Sequence, residues 1–344
     1  MFTPNFKYSD KLVGNIGKVR ELLGNLNSKS FSSTVLVELY KDARELSSYS
    51  STSIEGNPLP LTDVKKILKN KPANVRDSER EVLNYNKTLL YLNKLIISNK
   101  ELNISNDLVC LIQKMVTENL LPDFEVGRYR DKPVFVNDPK LRQTVYWPPD
   151  HKDVLSLMNE LIEYINSNKG VLDPMILGGL FHKQFVVIHP FIDGNGRTSR
   201  LVTKVILASL GLNTFQLFSF ENYYNNNITK YFENVGVKGN YYDEFNNLDF
   251  TTWLEYFTDG IIDELNRVNK ILSRPNTLEE RLEPHHLKIL ELIKENNLVT
   301  DSDYAKVTNR SKASRALDFQ KLLLLNYIER KGAARSTYYI LKQK

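Results

Sequence analysis

The sequence predicts a mainly helical protein with a small β-hairpin, followed by a winged-helix-like domain. Apolar residues recur every three or four positions through most of the chain, one short segment alternates like a strand, and the C-terminal part reads as helices followed by two strands. The 344 residues exceed the usual size of one domain. We therefore expect an N-terminal helical region at 1–100, a central core at 101–275 and the winged-helix-like domain at 276–344.

The composition excludes several classes of protein. Hydrophobic residues make up 41% and charged residues 25%, with 15 Gly and 13 Pro, as in ordinary folded chains. No apolar run is long enough to span a membrane and the N-terminus lacks a signal-peptide core, so we expect a cytoplasmic protein without membrane contact. The single Cys110 excludes an intrachain disulfide and a cysteine-built zinc site, and its helical context predicts a core position.

Helical periodicity identifies the first elements. The segment "STVLVELYKDARELSSYSS" predicts a helix that ends at Gly56. Three further helices are expected, with caps at Thr62, Ser78 and Ser105. The segment "GRYRDKPVFVND" carries a strand signal, and Pro149 suits the first turn of the amphipathic helix that follows it.

The segment "HPFIDGNGRTSR", residues 189–200, lies between two predicted helices. Asp173 and Pro174 are typical of a helix start, and Pro190 ends that helix, which leaves His189 facing a loop. Apolar spacing then resumes after the loop and stops at Gly211. The segment is therefore predicted to form a helix end, a tight turn and a second helix start.

The turn has the residues that bind phosphate. Gly194, Asn195 and Gly196 leave their N–H groups free to converge on an anion where the next helix presents its positive end. Arg197 and Arg200 are three positions apart on one helical face, so each can bind phosphate oxygens. Two arginines beside the turn indicate a polyphosphate ligand.

The remaining two polar residues of the segment complete a candidate catalytic set. Asp193 is the obvious carboxylate for Mg²⁺, which takes one or two protein carboxylates and completes its shell with water and phosphate. His189 can accept a proton from an attacking hydroxyl. Each feature alone has an ordinary structural explanation, and their occurrence within one short segment favours the functional interpretation.

These twelve residues resemble the signature of the Fic family, His-x-Phe-x-Asp/Glu-Gly-Asn-Gly-Arg-x-x-Arg, at every defined position. "GRYRDKPVFV" followed by "WPPDHKDVLSLM" is similar to the family's flap hairpin and the helix after it. "SSTSIEGN" is similar to the inhibitory motif Ser/Thr-x-x-x-Glu-Gly/Asn, with Ser51, Glu55 and Gly56 at the defined positions. The resemblance extends over residues from about 35 to 260 and implies a Fic-type helical bundle.

The resemblance implies transfer of AMP from ATP, with Mg²⁺, to a Ser, Thr or Tyr hydroxyl of a target protein or of the chain itself. By family role, His189 would be the general base, Asp193 the Mg²⁺ ligand and Glu55 an inhibitor that pairs with Arg200, supported by Ser51. The nucleotide contacts it implies are Gly194, Asn195, Gly196, Arg197, Arg200, Val136, Asn137, Tyr231 and Asn246.

The C-terminal region is similar to a winged helix. Its recognition helix would begin with Ser311, Lys312, Ser314 and Arg315, and its wing would carry Arg330, Lys331 and Arg335. Residues 301–344 contain ten Lys or Arg against four Asp or Glu, which is compatible with DNA contact. A protein-interaction or dimerisation module of the same fold is an equal alternative. His285 and His286 are interpreted as surface caps rather than metal ligands.

Two classes of function remain open from the sequence. The first is an autoinhibited adenylyltransferase, and within it the same site could instead remove AMP from modified targets. The second is a DNA-binding regulator whose Fic portion senses a nucleotide. The intact motif favours the enzyme, and the sequence leaves the target protein and a homodimer open.

Overall fold

The chain divides into two compact units. The computed structural model describes residues 1–28, 33–70, 72, 74–98, 102–138, 143–208, 218–272, 282–325, 327–332 and 336–342. One unit comprises Met1–Ser30 with Leu39–Lys270, and the other comprises Phe31–Glu38 with Ile271–Lys344. The regions 1–100 and 101–275, expected from sequence as separate parts, therefore lie largely within one unit.

The first unit is built from helices, which confirms the mainly helical class. The helices that lie wholly or mostly in it are α1 (Asp10–Asn27), α2 (Ser33–Ile54), α3 (Leu61–Asn70), α4 (Asp77–Ser98), α5 (Asn106–Thr117), α6 (Val154–Ser167), α7 (Pro174–Ile188), α8 (Asn195–Leu207), α9 (Phe220–Asn226), α10 (Ile228–Val235), α11 (Tyr241–Glu244) and α12 (Thr251–Leu272). Nearly all residues of α7 and α8 are buried, so these two helices form the centre of the unit. Within the part of the chain that is described, no helix has the length and apolar character needed to cross a bilayer.

Helix α1 is absent from the sequence predictions. Its start is capped by Ser9, whose Oγ accepts a hydrogen bond from the Leu12 amide at 3.2 Å. Gly14, Gly17 and Gly24 interrupt its apolar pattern, and glycine inside a helix is unfavourable. Packing of its buried leucines and Val19 against the unit overrides this weak local preference.

The predicted helix starts are right for two helices and wrong for three. Asp173 caps α7, with Oδ1 accepting from the Met175 amide at 2.8 Å, and Ser105 caps α5 in the same way. Helices α3 and α4 begin one residue before the expected caps Thr62 and Ser78. Helix α6 begins only at Val154, because residues 151–153 after Pro149 form a turn. Gly211, the expected end of α8, lies outside the described residues.

A three-stranded sheet lies beside the end of α7. It contains β1 (Val136–Asp138), β2 (Gln143–Trp147) and β3 (Gly239–Asn240), with β1 antiparallel and β3 parallel to β2. β1 and β2 correspond to the expected flap hairpin, although β1 is shorter than the strand signal that predicted it. The Tyr146 hydroxyl donates to the Val187 carbonyl at 2.9 Å, which fixes the flap to the last turn of α7.

The second unit has its own core. It contains α13 (Pro284–Asn296), α14 (Asp301–Ala305), α15 (Lys312–Leu324) and an antiparallel hairpin of β4 (Ile328–Lys331) and β5 (Tyr338–Leu341). The core residues are Leu282, Ile289, Ile293, Val299, Tyr304, Phe319, Leu322 and Ile328. The order of helices and strands is the one expected from the sequence, and Arg335 lies outside the described residues.

Candidate functional site

The turn after α7 is held in a left-handed conformation. His189 has φ 52° and ψ 59°, and its amide donates to the Phe185 carbonyl at 2.9 Å. Such a φ is uncommon for a residue with a side chain, so neighbouring groups must stabilise it. Arg130 does so, because its Nε donates to the His189 carbonyl and its amide donates to the Pro190 carbonyl, both at 2.9 Å. Sequence reasoning missed Arg130, which no local pattern marks.

The loop itself is closed by the Asn195 side chain. Asn195 Nδ2 donates to the Phe191 carbonyl at 2.8 Å, and Oδ1 accepts from the Phe191 amide at 2.9 Å. Phe191 is fully buried and anchors the loop to the core. The Asn195 side chain therefore shapes the loop, and only its backbone N–H is available to an anion.

Gly194 is required by both conformation and space. Its φ is 83°, and a Cβ there would lie 2.9 Å from Cγ2 of Thr117 on α5. Gln113, also on α5, donates from Nε2 to the Asp193 carbonyl at 3.2 Å and accepts from the Gly127 amide at 2.6 Å. Helix α5 thus supports the turn from behind, and Gln113 is a second residue that sequence reasoning missed.

The His189 imidazole is arranged as a base. Its Nδ1 lies 3.3 Å from the Val186 carbonyl, which can only accept a hydrogen bond, so Nδ1 carries the proton and Nε2 keeps its lone pair. Burial lowers the pKa of His189, while the Val186 carbonyl opposes this shift. The ring is therefore neutral near pH 7 and can accept a proton.

Arg197 connects the turn to two carboxylates. Its Nη2 lies 2.8 Å from Asp193 Oδ2, and its Nη1 lies 3.4 Å from Glu81 Oε1 on α4. The Arg197 side chain is 2% exposed and that of Asp193 is 50% exposed. The Asp193 carboxylate is therefore open to a ligand from the solvent side.

Arg200 is fully buried and bound to helix α2. Its Nε donates to Ser51 Oγ at 2.8 Å, and its Nη2 donates to the Ser51 carbonyl at 2.9 Å and to Glu55 Oε1 at 2.7 Å. Burial acts to lower the pKa of Arg200, but Glu55 and nearby tyrosines outweigh it, and the net pKa is raised. The guanidinium is therefore charged, and its Nε and Nη2 are both occupied by α2.

The Glu55 carboxylate lies on the first turn of α8. A Cβ built on Gly196 would collide with Glu55 Oε1 and would lie 3.0 Å from Arg200 Nη1. Only glycine at position 196 allows this approach. The first turn of a helix attracts anions through its free N–H groups. The carboxylate thus lies where the sequence predicts that a phosphate binds.

The remaining predicted nucleotide contacts lie at different depths. Tyr231 is buried, with its hydroxyl 3.0 Å from His182 Nε2 and 3.5 Å from Arg200 Nη1, so it contacts Arg200 from the interior. Asn246 is exposed. In β1, Val136 packs towards Tyr146, and Asn137 is exposed, with its Oδ1 accepting from Thr144 Oγ1 at 2.8 Å. The four residues therefore differ in exposure, and the assignment of Asn246, Val136 and Asn137 to the nucleotide stays a prediction.

Asp193 fits a magnesium site in the first unit. It offers an accessible carboxylate beside the phosphate-binding turn, and Mg²⁺ commonly uses one protein carboxylate together with water and phosphate oxygens.

A second group of metal-ligating types lies in the second unit. Side-chain atoms of His285, His286 and Asp318 lie within 4.8 Å of one another. His286 is buried rather than a surface residue, which corrects the sequence interpretation, although its Nδ1 accepts from the Glu283 amide at 3.0 Å and so caps α13. Because Nδ1 is an acceptor there, the neutral ring carries its proton on Nε2, towards Asp318. Asp318 already accepts two hydrogen bonds from Arg310, at 2.7 and 3.0 Å. Arg310 and Asp318 thus form an ion pair beside the two imidazole rings.

The first unit is therefore a helical bundle with a glycine-containing turn at a helix start, a histidine whose Nε2 is free to accept a proton, and the Glu55 carboxylate against Gly196. Residues 103–207 match the model of the Fic/DOC family, which confirms the resemblance seen in the sequence for this part of the chain. Solved structures agree in fold. A Fic family protein from Desulfovibrio desulfuricans G20 has a TM-score of 0.68 and 19% identity, covering 100% of this chain and 99% of that one. A Fic domain containing signaling protein from Bacteroides thetaiotaomicron has a TM-score of 0.61 and 19% identity, and the match covers 76% of this chain and 96% of that one.

Curated relatives carry the name protein adenylyltransferase. The protein adenylyltransferase Fic of Nematostella vectensis is 33% identical over 212 residues, which are 60% of this chain and 47% of that protein. The protein adenylyltransferase fic-1 of Caenorhabditis elegans is 27% identical over 205 residues, which are 58% and 38%. The chain thus spans about half or less of the length of these relatives.

Proposed function

We propose that this chain is a protein adenylyltransferase that transfers AMP from ATP to a hydroxyl side chain of a target protein, and that Glu55 holds it inactive. The observation that carries the proposal is the Glu55 carboxylate, which lies against Gly196 and accepts from Arg200 at 2.7 Å. An acidic group in an anion site occupies the place of a phosphate. The names of the relatives support ATP as the substrate.

In the proposed reaction His189 Nε2 takes the proton of the target hydroxyl. The hydroxyl oxygen forms a bond to the α-phosphorus while the bond from that phosphorus to the β-phosphate oxygen breaks, so pyrophosphate leaves. Backbone N–H groups of residues 194–196 and the Arg197 guanidinium stabilise the negative charge on the phosphates. Asp193 would hold Mg²⁺, which supplies positive charge to the phosphate oxygens. Arg200 would bind the γ-phosphate after Glu55 leaves it.

The flap is the proposed docking place for the target. β1 pairs with β2 on one side, and no strand among the described residues pairs with its other edge. A free strand edge can bind an extended peptide through main-chain hydrogen bonds. We assign Val136 and Asn137 to this contact with the target and the nucleotide. Tyr231 is assigned to supporting Arg200 from the interior, and exposed Asn246 remains a proposed adenine contact.

The second unit is proposed to be a winged-helix accessory domain that contacts protein. Arg315, expected to contact DNA at the start of α15, donates to both Asp301 carboxylate oxygens at 2.8 and 2.9 Å. Arg310 is bound to Asp318. These ion pairs reduce the positive charge that α15 presents, so a protein partner, including a second copy of the chain, is favoured over DNA.

The test is incubation of the purified chain with labelled ATP, Mg²⁺ and cell lysate. The proposal expects weak protein labelling by the wild type and stronger labelling by Glu55→Gly. Binding of ATP without any labelled protein in either sample would contradict a transferase and support a nucleotide sensor. Release of AMP from modified protein by the wild type would identify the reverse reaction instead.

A further inference from the structure

The Arg197 guanidinium has carboxylate neighbours from two different elements. Asp193 contacts Nη2 from the turn before α8, and Glu81 lies 3.4 Å from Nη1 on α4. Water screens Arg197 very little, since its side chain is almost completely buried. A buried charge that loses its only partner is strongly destabilised. The two carboxylates therefore share the task of compensating this charge.

Asp193 cannot fully neutralise the Arg197 charge while it also coordinates a metal ion. This inference rests on the proposed function, in which the Asp193 carboxylate would coordinate Mg²⁺ when Mg·ATP binds. We propose that Glu81 is a positioning residue of the nucleotide site, which holds the Arg197 guanidinium in place when Asp193 is engaged by the metal. Glu81 acts through Arg197, whereas Arg197 acts on the phosphates.

The Glu81 carboxylate is oriented for this task by Asn57. Asn57 Nδ2 donates to Glu81 Oε2 at 2.7 Å, which leaves Oε1 facing Arg197. Asn57 is itself fixed, because Nδ2 also donates to the Ser78 carbonyl at 2.8 Å and Oδ1 accepts from the Leu59 amide at 3.1 Å. Asn57 follows Gly56 directly after α2. The orientation of Glu81 is therefore set by the segment that follows α2.

Glu81 neutralises Arg197 without taking its hydrogen-bond donors. Nε and Nη1 of Arg197 make no hydrogen bond to any residue that the structure describes. The 3.4 Å separation from Glu81 is an ion pair only. Arg200 differs, since Nε and Nη2 both donate to α2. Nε and Nη1 of Arg197 are thus buried and not hydrogen-bonded among the described residues, whereas Nε and Nη2 of Arg200 are both hydrogen-bonded.

The test measures ATP binding by isothermal titration calorimetry, with Mg²⁺ and separately with EDTA. All proteins carry Glu55→Gly so that the phosphate site is open, and the comparison is with and without Glu81→Gln. In EDTA, Asp193 still pairs with Arg197, so the Kd for ATP should change by less than about twofold. With Mg²⁺ the Kd should weaken on the order of tenfold, because Arg197 then lacks a carboxylate.

Glu79→Gln is the matched control in the same background. Glu79 lies two residues away on α4 and pairs with Arg76 at 2.7 Å, and its hydrogen bonds within the described part of the chain all go to Arg76. It should leave the Mg²⁺ enhancement of ATP binding unchanged. Asn57→Ala is the second variant, because it removes the orientation of Glu81 and keeps its charge. Asn57→Ala should also reduce the Mg²⁺ enhancement of ATP binding, but by less than Glu81→Gln does. If Glu81→Gln lowers the Tm too far for calorimetry, Asn57→Ala takes its place in the test.

Three results would overturn the inference. Equal weakening of ATP binding with Mg²⁺ and with EDTA would make Glu81 a general structural residue and leave the proposed function intact. Tighter binding in Glu81→Gln would make it a second inhibitory carboxylate. If the Glu55→Gly protein binds no ATP under either condition, the proposed function fails and the inference fails with it.

Discussion

At the residue scale, the first and last residues of the motif differ in whether their functional atoms are free. His189 has a free acceptor atom, whereas two of the donor atoms of Arg200 are hydrogen-bonded. His189 is ready for its proposed role, because the Val186 carbonyl fixes the proton on Nδ1 and leaves Nε2 free to accept another. Arg200 is withheld from its proposed role, because Ser51 and Glu55 occupy its donors. The proposed inhibition would therefore act on phosphate binding and leave the base intact.

His189→Ala is expected to abolish AMP transfer while ATP binding remains. The substitution removes the base and leaves the turn at residues 194–196 and both arginines in place. Loss of a general base typically reduces a rate by about 10² to 10⁴. Transfer is measured with labelled ATP in a Glu55→Gly background, and binding by calorimetry. A His189→Ala protein that transfers AMP at the parent rate would remove this assignment.

The pH dependence of transfer follows from the same ring. Only neutral imidazole accepts a proton, so the rate should fall as pH falls through the pKa of His189. Burial lowers that pKa. The acid limb of kcat/KM for Glu55→Gly should therefore lie below the value of about 6.5 for a free histidine. An acid limb centred above pH 7 would contradict this arrangement.

At the element scale, α2 docks on α8 through polar residues at helical spacing. Ser47 and Ser51 on α2 and Glu55 directly after it are spaced four residues apart, and Arg200 and Lys204 are four apart on α8. Lys204 Nζ lies 3.4 Å from Ser47 Oγ, and Arg200 contacts the other two. Lys204 is also paired with buried Glu221 at 3.1 Å. These contacts fix the register of α2 and hence the position of Glu55.

Glu55→Gly is expected to increase AMP transfer, including self-modification. Removing the carboxylate opens the first turn of α8 and frees Arg200 for the γ-phosphate. Arg200→Ala in the same protein should cancel the gain, because one arginine serves both states. Equal rates of labelling by wild type and Glu55→Gly at saturating ATP and Mg²⁺ would exclude the inhibitory role.

Ser51→Ala is expected to release part of the inhibition. Arg200 Nε would lose its hydrogen bond at 2.8 Å, so the binding of α2 to Arg200 would weaken by about 1 kcal/mol, or roughly fivefold in the equilibrium constant between the inhibited and the open state. Basal labelling should therefore rise, but less than in Glu55→Gly. Ser53→Ala is the control on the same helix, since Ser53 makes no side-chain contact with Arg200. A rise of equal size in both variants would indicate general loosening of α2.

At the scale of the whole molecule, local signals were predictable and long-range contacts were not. The turn at 189–200 and the Asp173 cap follow from residues next to each other in sequence. The ion pair of Glu55 with Arg200 joins residues 145 positions apart and was expected only through family resemblance. The ion pair of Glu81 with Arg197 was indicated neither by a local pattern nor by the family resemblance. β3, with two residues, forms only because β2 lies beside it, and no sequence pattern is long enough to predict it.

Deletion of residues 276–344 is expected to leave self-modification intact. All motif residues, α2 from Leu39 onwards and the flap lie in the first unit, whereas the residues that pack around Ile289 and Phe319 form a separate core. The test compares labelling of the full chain and of the truncated chain, both with Glu55→Gly, after circular dichroism shows that the truncated chain is folded. Modification of lysate proteins is measured in parallel, because a domain that recruits protein targets would be needed there. A folded truncation without self-labelling would show that the catalytic unit extends beyond residue 275, and equal labelling of lysate proteins by both chains would remove the recruiting role.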